Sequence, residues 1–200
     1  METIRGRMSL NIGLIELSER LAVYNQISLD LGTGDGRFVR CMAEKHKDRF
    51  FIGVDACREN LRANSLIKLP NALFVIANAQ ALPLELKGLA SHITINFPWG
   101  SLLESLLNND TRLINGLSAI TSPCAQLDVY LNGEALGTAG WSLEAGADLI
   151  EHVLNEVGWK TRSHSCLEAQ ALRSVPTTWA KRLAFGRDPR AIQLSLQREW

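Results

Sequence analysis

The segment Leu29-Asp30-Leu31-Gly32-Thr33-Gly34-Asp35-Gly36 constrains this chain more than any other. Ile27, Leu29 and Leu31 alternate with other residues and read as a strand over 26–31, and residues 37–46 read as a helix. The turn between them carries glycines in a G-x-G-x-G spacing. Glycine lets the backbone turn tightly there and approach a ligand. The rest of the chain keeps the alternation. Strands are expected at 50–54, 72–77, 91–95, 126–131 and 192–196. Helices are expected at 57–68, 101–107, 111–119, 144–157 and 178–184. Over 144–157, Ala147, Ile150, Leu154 and Val157 fall at three- and four-residue spacing, and Gly158 closes the helix. Strands alternating with helices imply parallel pairing and a doubly wound α/β sheet. Residues 1–13 precede this pattern and are expected to form an N-terminal hairpin arm, with Arg7 to Ile12 as its clearest stretch. No repeat, low-complexity tract or linker interrupts the chain, so one domain over 1–200 is expected.

Composition narrows the class. A chain of 200 residues, 46% apolar, is large enough for one core. Its 21 basic and 21 acidic side chains cancel, which excludes disorder driven by self-repulsion. The longest uncharged run, 88–103, is broken by Pro98, so no membrane span is expected. Charges at Glu2, Arg5, Arg7, Glu16, Glu19 and Arg20, with no apolar run after the early basic residues, argue against a secretory leader. The four cysteines, without any C-x-x-C spacing, read as free thiols in the reducing cytoplasm. Charge is nevertheless uneven. Residues 128–156 hold six acidic and no basic side chains, and residues 157–200 hold eight basic and three acidic. A basic C-terminal face suits a polyanionic partner, although an unevenly charged solvated surface has the same composition.

Two motifs carry chemistry. Asp55 follows Gly32 by 23 residues, at the end of the second strand of the alternating pattern. A carboxylate there can accept both ribose hydroxyls of a nucleoside. A dinucleotide fingerprint would need glycine at 37, where Arg37 stands, and Asp35 in the turn would repel a pyrophosphate. A cofactor with a cationic centre and an amino-acid tail fits better, and S-adenosylmethionine has both. The alternative is a purely structural glycine turn. The second motif, Asn96-Phe97-Pro98-Trp99-Gly100-Ser101-Leu102-Leu103, ends the fourth strand. Carboxyl ends of strands line the ligand crevice of such a sheet. Trp99 would place a π-face there, typically worth ~1–3 kcal/mol to a stacked base, or else pack behind a helix cap. His46, His92, His152 and His164 lack partner spacing and read as surface or structural. Trp141, Trp159 and Trp200 have no functional argument, and Trp159 reads as packing. No Ser/His/Asp, Cys/His or metal constellation stands out.

Together LDLGTGDGRF, DRFFIGVDA, NFPWGSLL and TTWAKRLAFGR resemble the aminoglycoside-resistance 16S rRNA methyltransferases of the Kam and Npm type, which methylate N1 of adenine 1408 in the decoding site. The resemblance runs from about residue 5 to residue 196 in the same order. It implies a seven-stranded, mostly parallel, Rossmann-like class I methyltransferase sheet with an N-terminal hairpin. Residues 157–190 would be a late linker with substrate-recognition elements. It further implies that Asp30, Gly32 and Gly34 contact the methionine part of S-adenosyl-L-methionine, that Asp55 holds the ribose, and that Ala79 and Gln80 frame the adenine. Pro98, Trp99 and Ser101 would also border the cofactor. Trp99 and Trp179 would sandwich a flipped target adenine, Thr178 would support that pocket, and Arg182 and Arg187 would contact rRNA phosphate. The implied partner is 16S rRNA within the 30S subunit, and the implied enzyme is a monomer without metal or membrane.

Some features depart from that pattern. Family members often carry Glu where this chain has Gln80, whose carbonyl oxygen can still accept from an adenine amino group. Residues 57–68 offer only Arg58, Arg62 and Lys68 as basic groups, opposed by Glu59, and a neutral chain has modest non-specific affinity for RNA. Asn96-Phe97-Pro98-Trp99 is also a loose relative of the Asn-Pro-Pro-aromatic loop of amino-directed methyltransferases, which keeps an N6-adenine or small-molecule activity open. A non-catalytic RNA-binding module is the third reading, and the intact glycine loop with Asp55 argues against it.

Overall fold

A computed structural model describes residues 1–199. The chain opens with an antiparallel hairpin, β1 (Glu2–Arg5) and β2 (Met8–Asn11), turned at Gly6. Helix α1 (Leu14–Leu21) follows and buries Leu17 and Leu21, one helical turn apart. The alternating part then runs β3 (Gln26–Leu31), α2 (Arg37–Lys45), β4 (Arg49–Asp55), α3 (Arg58–Ser65), β5 (Ala72–Ile76) and β6 (Ala90–Asn96). It continues with α4 (Gly100–Leu107), α5 (Thr111–Ile120), β7 (Thr121–Asn132), α6 (Gly133–Thr138) and α7 (Leu143–Glu156). The last elements are β8 (Trp159–Leu167), α8 (Ala169–Ser174), α9 (Thr178–Ala184) and β9 (Ala191–Arg198). Side-chain caps start several helices. Ser142 Oγ accepts from the Ala145 amide at α7, and Thr177 Oγ1 accepts from the Ala180 amide at α9.

The strands form one sheet in the order β2-β1-β5-β4-β3-β6-β7-β9-β8. Neighbours from β5 through β7 pair in parallel, whereas β9 is antiparallel to both β7 and β8. The expectation of seven strands is therefore corrected to nine. The hairpin does not stand apart from the sheet. Strand β1 joins the open edge of β5 antiparallel, with Thr3 opposite Val75, and so occupies backbone groups that an edge leaves unpaired.

The stretch read as a late linker also needs correcting. Residues 159–167 form strand β8 along the whole of β9, with a register shift between Thr161 and Ser163. Its sequence, Trp-Lys-Thr-Arg-Ser-His-Ser-Cys-Leu, has no apolar alternation, because pairing to β9 rather than burial of a face makes it a strand. Only its first residue is deeply anchored, Trp159 being fully buried in the main core.

The core has three parts. The largest lies between one sheet face and helices α1 and α4 to α7. A second packs Val39 and Ala43 of α2 and Leu61 of α3 on Phe51 and Phe74. The third gathers Leu172, Ala180, Leu183 and Ala184 of α8 and α9 around Phe97. Strand β3 has β4 on one side and β6 on the other, so the loops leaving β3 and β6 part at their carboxyl ends and open a crevice.

Candidate functional site

The loop after β3 is built for close approach. Gly32 and Gly36 take left-handed backbones, φ +69° and +72°. A Cβ at Gly32 would lie 2.6 Å from Leu102, and one at Gly36 would lie 2.5 Å from Phe74. Gly34, also left-handed, donates its amide to Asp55 Oδ2 at 2.8 Å, and the Cys57 amide donates to Asp55 Oδ1 at 2.8 Å. The Asp55 carboxylate is thus aimed by two backbone donors before any ligand arrives, with lone pairs to spare.

Asp30 sits at the carboxyl end of β3, 2% exposed. Its Oδ1 accepts from Thr94 Oγ1 (2.7 Å) and Asn96 Nδ2 (2.8 Å), both on β6. Its buried Oδ2 has no hydrogen-bond partner among the described residues. Burial pushes the carboxyl up to about 6, helped by the Asp55 charge and opposed by the polar side chains of Thr33, Thr94 and Asn96, which favour the charged form. An orphaned, desolvated carboxylate oxygen beside a cavity is complementary to a cation.

That cavity, about 440 Å³, is bordered by Asp30, the glycine loop, Asn96 to Trp99, and residues of α9. A smaller cavity of about 90 Å³ shares Gly32 and Leu102 with it and runs past Asp55 to Ala79, Gln80 and Ser101. The cleft consists of these two adjoining cavities, which meet at Gly32 and Leu102. Gln80 Nε2 donates to Ser105 Oγ (2.6 Å) and to Asp110 Oδ2 (3.0 Å).

Trp99 caps α4, and Trp179 lies in the first turn of α9. Their rings stack directly, with centroids 5.3 Å apart and planes 28° apart. Phe97, between Asn96 and Pro98, holds a left-handed backbone at φ +52° and is 2% exposed beneath α8 and α9. This bulky residue in a region that disfavours it turns the chain so that Trp99 faces α9. Thr178 Oγ1 donates to Asp35 Oδ2 at 2.7 Å, tying α9 to the glycine loop. Arg182 lies over the Trp179 ring, 5.4 Å from its centroid. Arg187 lines a neighbouring cavity of about 530 Å³ together with Trp179 and Arg182. Neither arginine forms an ion pair among the described residues.

The structure therefore brings Asp30, Gly32, Gly34, Pro98, Trp99, Thr178, Trp179 and Arg182 to one cavity, Asp55, Ala79, Gln80 and Ser101 to its extension, and Arg187 to its rim. None of the four histidines lines the cleft. His92 pairs with Asp128 (2.7 Å) and His164 with Glu151 (2.6 Å), both elsewhere. Sequence reasoning did not single out Thr94, Thr177 or Asp110, and it gave Phe97 no role beyond its place in the second motif. Thr94 and Asn96 reach Asp30 only because β6 pairs with β3 in that register, Asp30 opposite Thr94. Trp200 lies outside the described residues.

Comparison with known proteins gives the family of the chain. The family model described as NpmA, 16S rRNA (adenine(1408)-N(1))-methyltransferase, matches residues 2–198. A 16S rRNA (adenine(1408)-N(1))-methyltransferase of Escherichia coli is 31% identical over 206 aligned residues, covering 94% of each chain. The crystal structure of the aminoglycoside resistance methyltransferase NpmB1 is similar at 31% identity and a TM-score of 0.82, covering 99% of each chain. That of the 16S rRNA methyltransferase KamB is similar at 25% identity and a TM-score of 0.89, covering 100% of each. The fold is an α/β methyltransferase fold. The chain belongs to the 16S rRNA (adenine(1408)-N(1))-methyltransferase family.

Proposed function

We propose that this protein methylates N1 of adenine 1408 in 16S rRNA of the 30S subunit, with S-adenosyl-L-methionine as cofactor. The observation that carries the reading is the pair Trp99 and Trp179, brought from the start of α4 and from α9 to a cavity that is also bordered by Asp30 and the glycine loop. The cofactor supplies an electrophilic methyl group on a sulfonium. Its fit rests on the chain itself. Asp30 Oδ2 lacks a cationic partner that an amino-acid tail would provide, the aimed Asp55 carboxylate suits two ribose hydroxyls, and the smaller cavity ends at Ala79 and Gln80.

The target base belongs between the tryptophans. A ring held between two others needs about 7 Å, twice the ~3.5 Å contact distance. At 5.3 Å the slot is shut, so the two rings must part by roughly 2 Å to admit a flipped adenine. Adenine N1 has an in-plane lone pair and no proton, so the chain needs no general base, in keeping with a cleft that no histidine lines. Its work is orientation: the rings hold the base in line for attack and stabilise the positive charge it gains. Arg182 and Arg187 beside the slot contact rRNA phosphate. The protein acts as one domain and as a monomer, in the cytoplasm where ribosomes are assembled, and modification of the decoding site confers aminoglycoside resistance. No helix among the described residues is long and apolar enough to cross a membrane.

Primer extension on 30S subunits treated with protein and S-adenosylmethionine tests the reading. N1 methylation blocks the pairing edge and stops reverse transcriptase next to adenine 1408. Read-through at that position, with methyl groups incorporated elsewhere, would overturn it.

A further inference from the structure

Gln80 reaches the adenine end of the cleft with its amide already spoken for on one side. Its two N–H groups go to Ser105 Oγ and Asp110 Oδ2, at 2.6 and 3.0 Å. As the bonds stand, both partners accept. Ser105 Oγ gives its own proton to the Ser101 carbonyl at 2.6 Å, which leaves it only lone pairs. Asp110 caps α5, accepting from the Arg112 amide at 2.9 Å, and the Arg112 guanidinium donates to both carboxylate oxygens. That fork and the cap hold the Asp110 carboxyl down at about 2, so it accepts at every working pH. If the Gln80 amide turned over, its Oε1 would face two acceptors and no donor.

We infer that Asp110 is a positioning residue for cofactor specificity: together with Ser105 it holds the Gln80 N–H groups and so fixes Gln80 Oε1 as an acceptor at the adenine end of the cleft, so that the site selects a 6-amino purine over a 6-oxo purine. The inference rests on the reading of the smaller cavity as the adenine pocket. It also explains why Gln suits this position here. A carboxylate in place of the Gln80 amide would sit about 3.0 Å from that of Asp110, where Gln donates. Nothing else holds Oε1, which accepts no hydrogen bond among the described residues.

The test is calorimetric binding of S-adenosylhomocysteine and S-inosylhomocysteine to the intact protein and to Asp110→Asn. Asparagine keeps the helix cap but turns an N–H toward Gln80, and with the Ser105 hydroxyl turned from the Ser101 carbonyl to Gln80 Oε1 the amide can flip and present a donor to the pocket. The native protein is expected to prefer the adenosyl compound by at least about tenfold, the scale of one hydrogen bond replaced by an unpaired group. In Asp110→Asn that ratio should fall toward one. A native protein that binds neither compound would overturn the cofactor reading and this inference with it. A native protein that binds the adenosyl compound, with the same ratio in Asp110→Asn, would overturn the positioning role alone. A second pair makes the same point independently. Gln80→Glu should weaken adenosyl binding by about tenfold, and adding Asp110→Asn should restore it by pairing the introduced carboxylate with an amide donor. Additive losses in that double variant would count against the coupling.

Discussion

Asp30 links cofactor binding to the stability of the free protein. Replacing it by Asn keeps an oxygen to accept from Thr94 and Asn96 but removes the charge. In the free protein the carboxyl titrates at about 6 instead of 3.8, because burial penalises the anion. At about 1.4 kcal/mol for each tenfold change in proton affinity, that rise amounts to roughly 3 kcal/mol. The sign follows from linkage: the folded state holds this proton more tightly than the unfolded chain does. The contribution is therefore fully present below pH 3.8 and is lost as pH rises through about 6. A cationic amino-acid tail next to Oδ2 favours the anion and reverses the preference. Binding of S-adenosylhomocysteine should thus weaken by up to about tenfold per pH unit below 6, as Asp30 must first give up a proton. Asp30→Asn should bind about 10- to 100-fold more weakly at pH 7.5, the loss of a charge-assisted hydrogen bond, and its affinity should not fall further below pH 6. Calorimetry across pH 5 to 8 measures both, and urea titration of the free proteins measures the stability component. Parallel pH dependences of affinity in the native and Asn proteins would refute the assignment of the cation to Asp30.

Other expectations follow from the same geometry. Trp179→Ala, folded by circular dichroism, should lose roughly tenfold or more of methyl transfer to 30S subunits, in line with ~1–3 kcal/mol per stacked base, and should bind cofactor as before; Trp179→Phe should recover part of the loss, and full activity in the Ala protein would remove Trp179 from the site. Asp55→Ala leaves the Gly34 and Cys57 amides without their acceptor, and calorimetry should show a loss of about 1.5–3 kcal/mol in S-adenosylmethionine affinity. Arg182→Glu or Arg187→Glu should flatten the salt dependence of 30S binding by about one phosphate contact each and leave cofactor affinity unchanged; an unaltered slope would make these arginines ordinary surface. Thr178→Val removes the tie to Asp35 and should raise amide exchange in α9 while the central strands stay protected.

Much of the cofactor half was legible in the sequence because its determinants are local. A strand, a glycine turn and a helix are contiguous, and left-handed backbone at Gly32, Gly34 and Gly36 is a demand that residue identity records directly. The ends of the parallel strands were legible too, since apolar runs bounded by Asp55 or by Asn96 and Pro98 mark them without reference to distant residues. Other features depended on partners far along the chain. Strand β8 has no strand-like pattern of its own and exists because β9 offers an unpaired edge. The hairpin became part of the sheet because β5 offers another. The charge state of Asp30 was invisible in its identity, as burial and the register of β6 set it. Family resemblance suggested that Trp99 and Trp179 meet, but the distance between them, too short for a base, comes from the packing of α8 and α9 on the strained Phe97. The sequence by itself determined the α/β alternation and the residue types of the cleft, because those follow from backbone preference and periodicity. Only the tertiary structure decided which of those groups face one another, which stay unpaired and how wide the slot stands, because distance and desolvation arise from contacts between segments that chain order does not bring together.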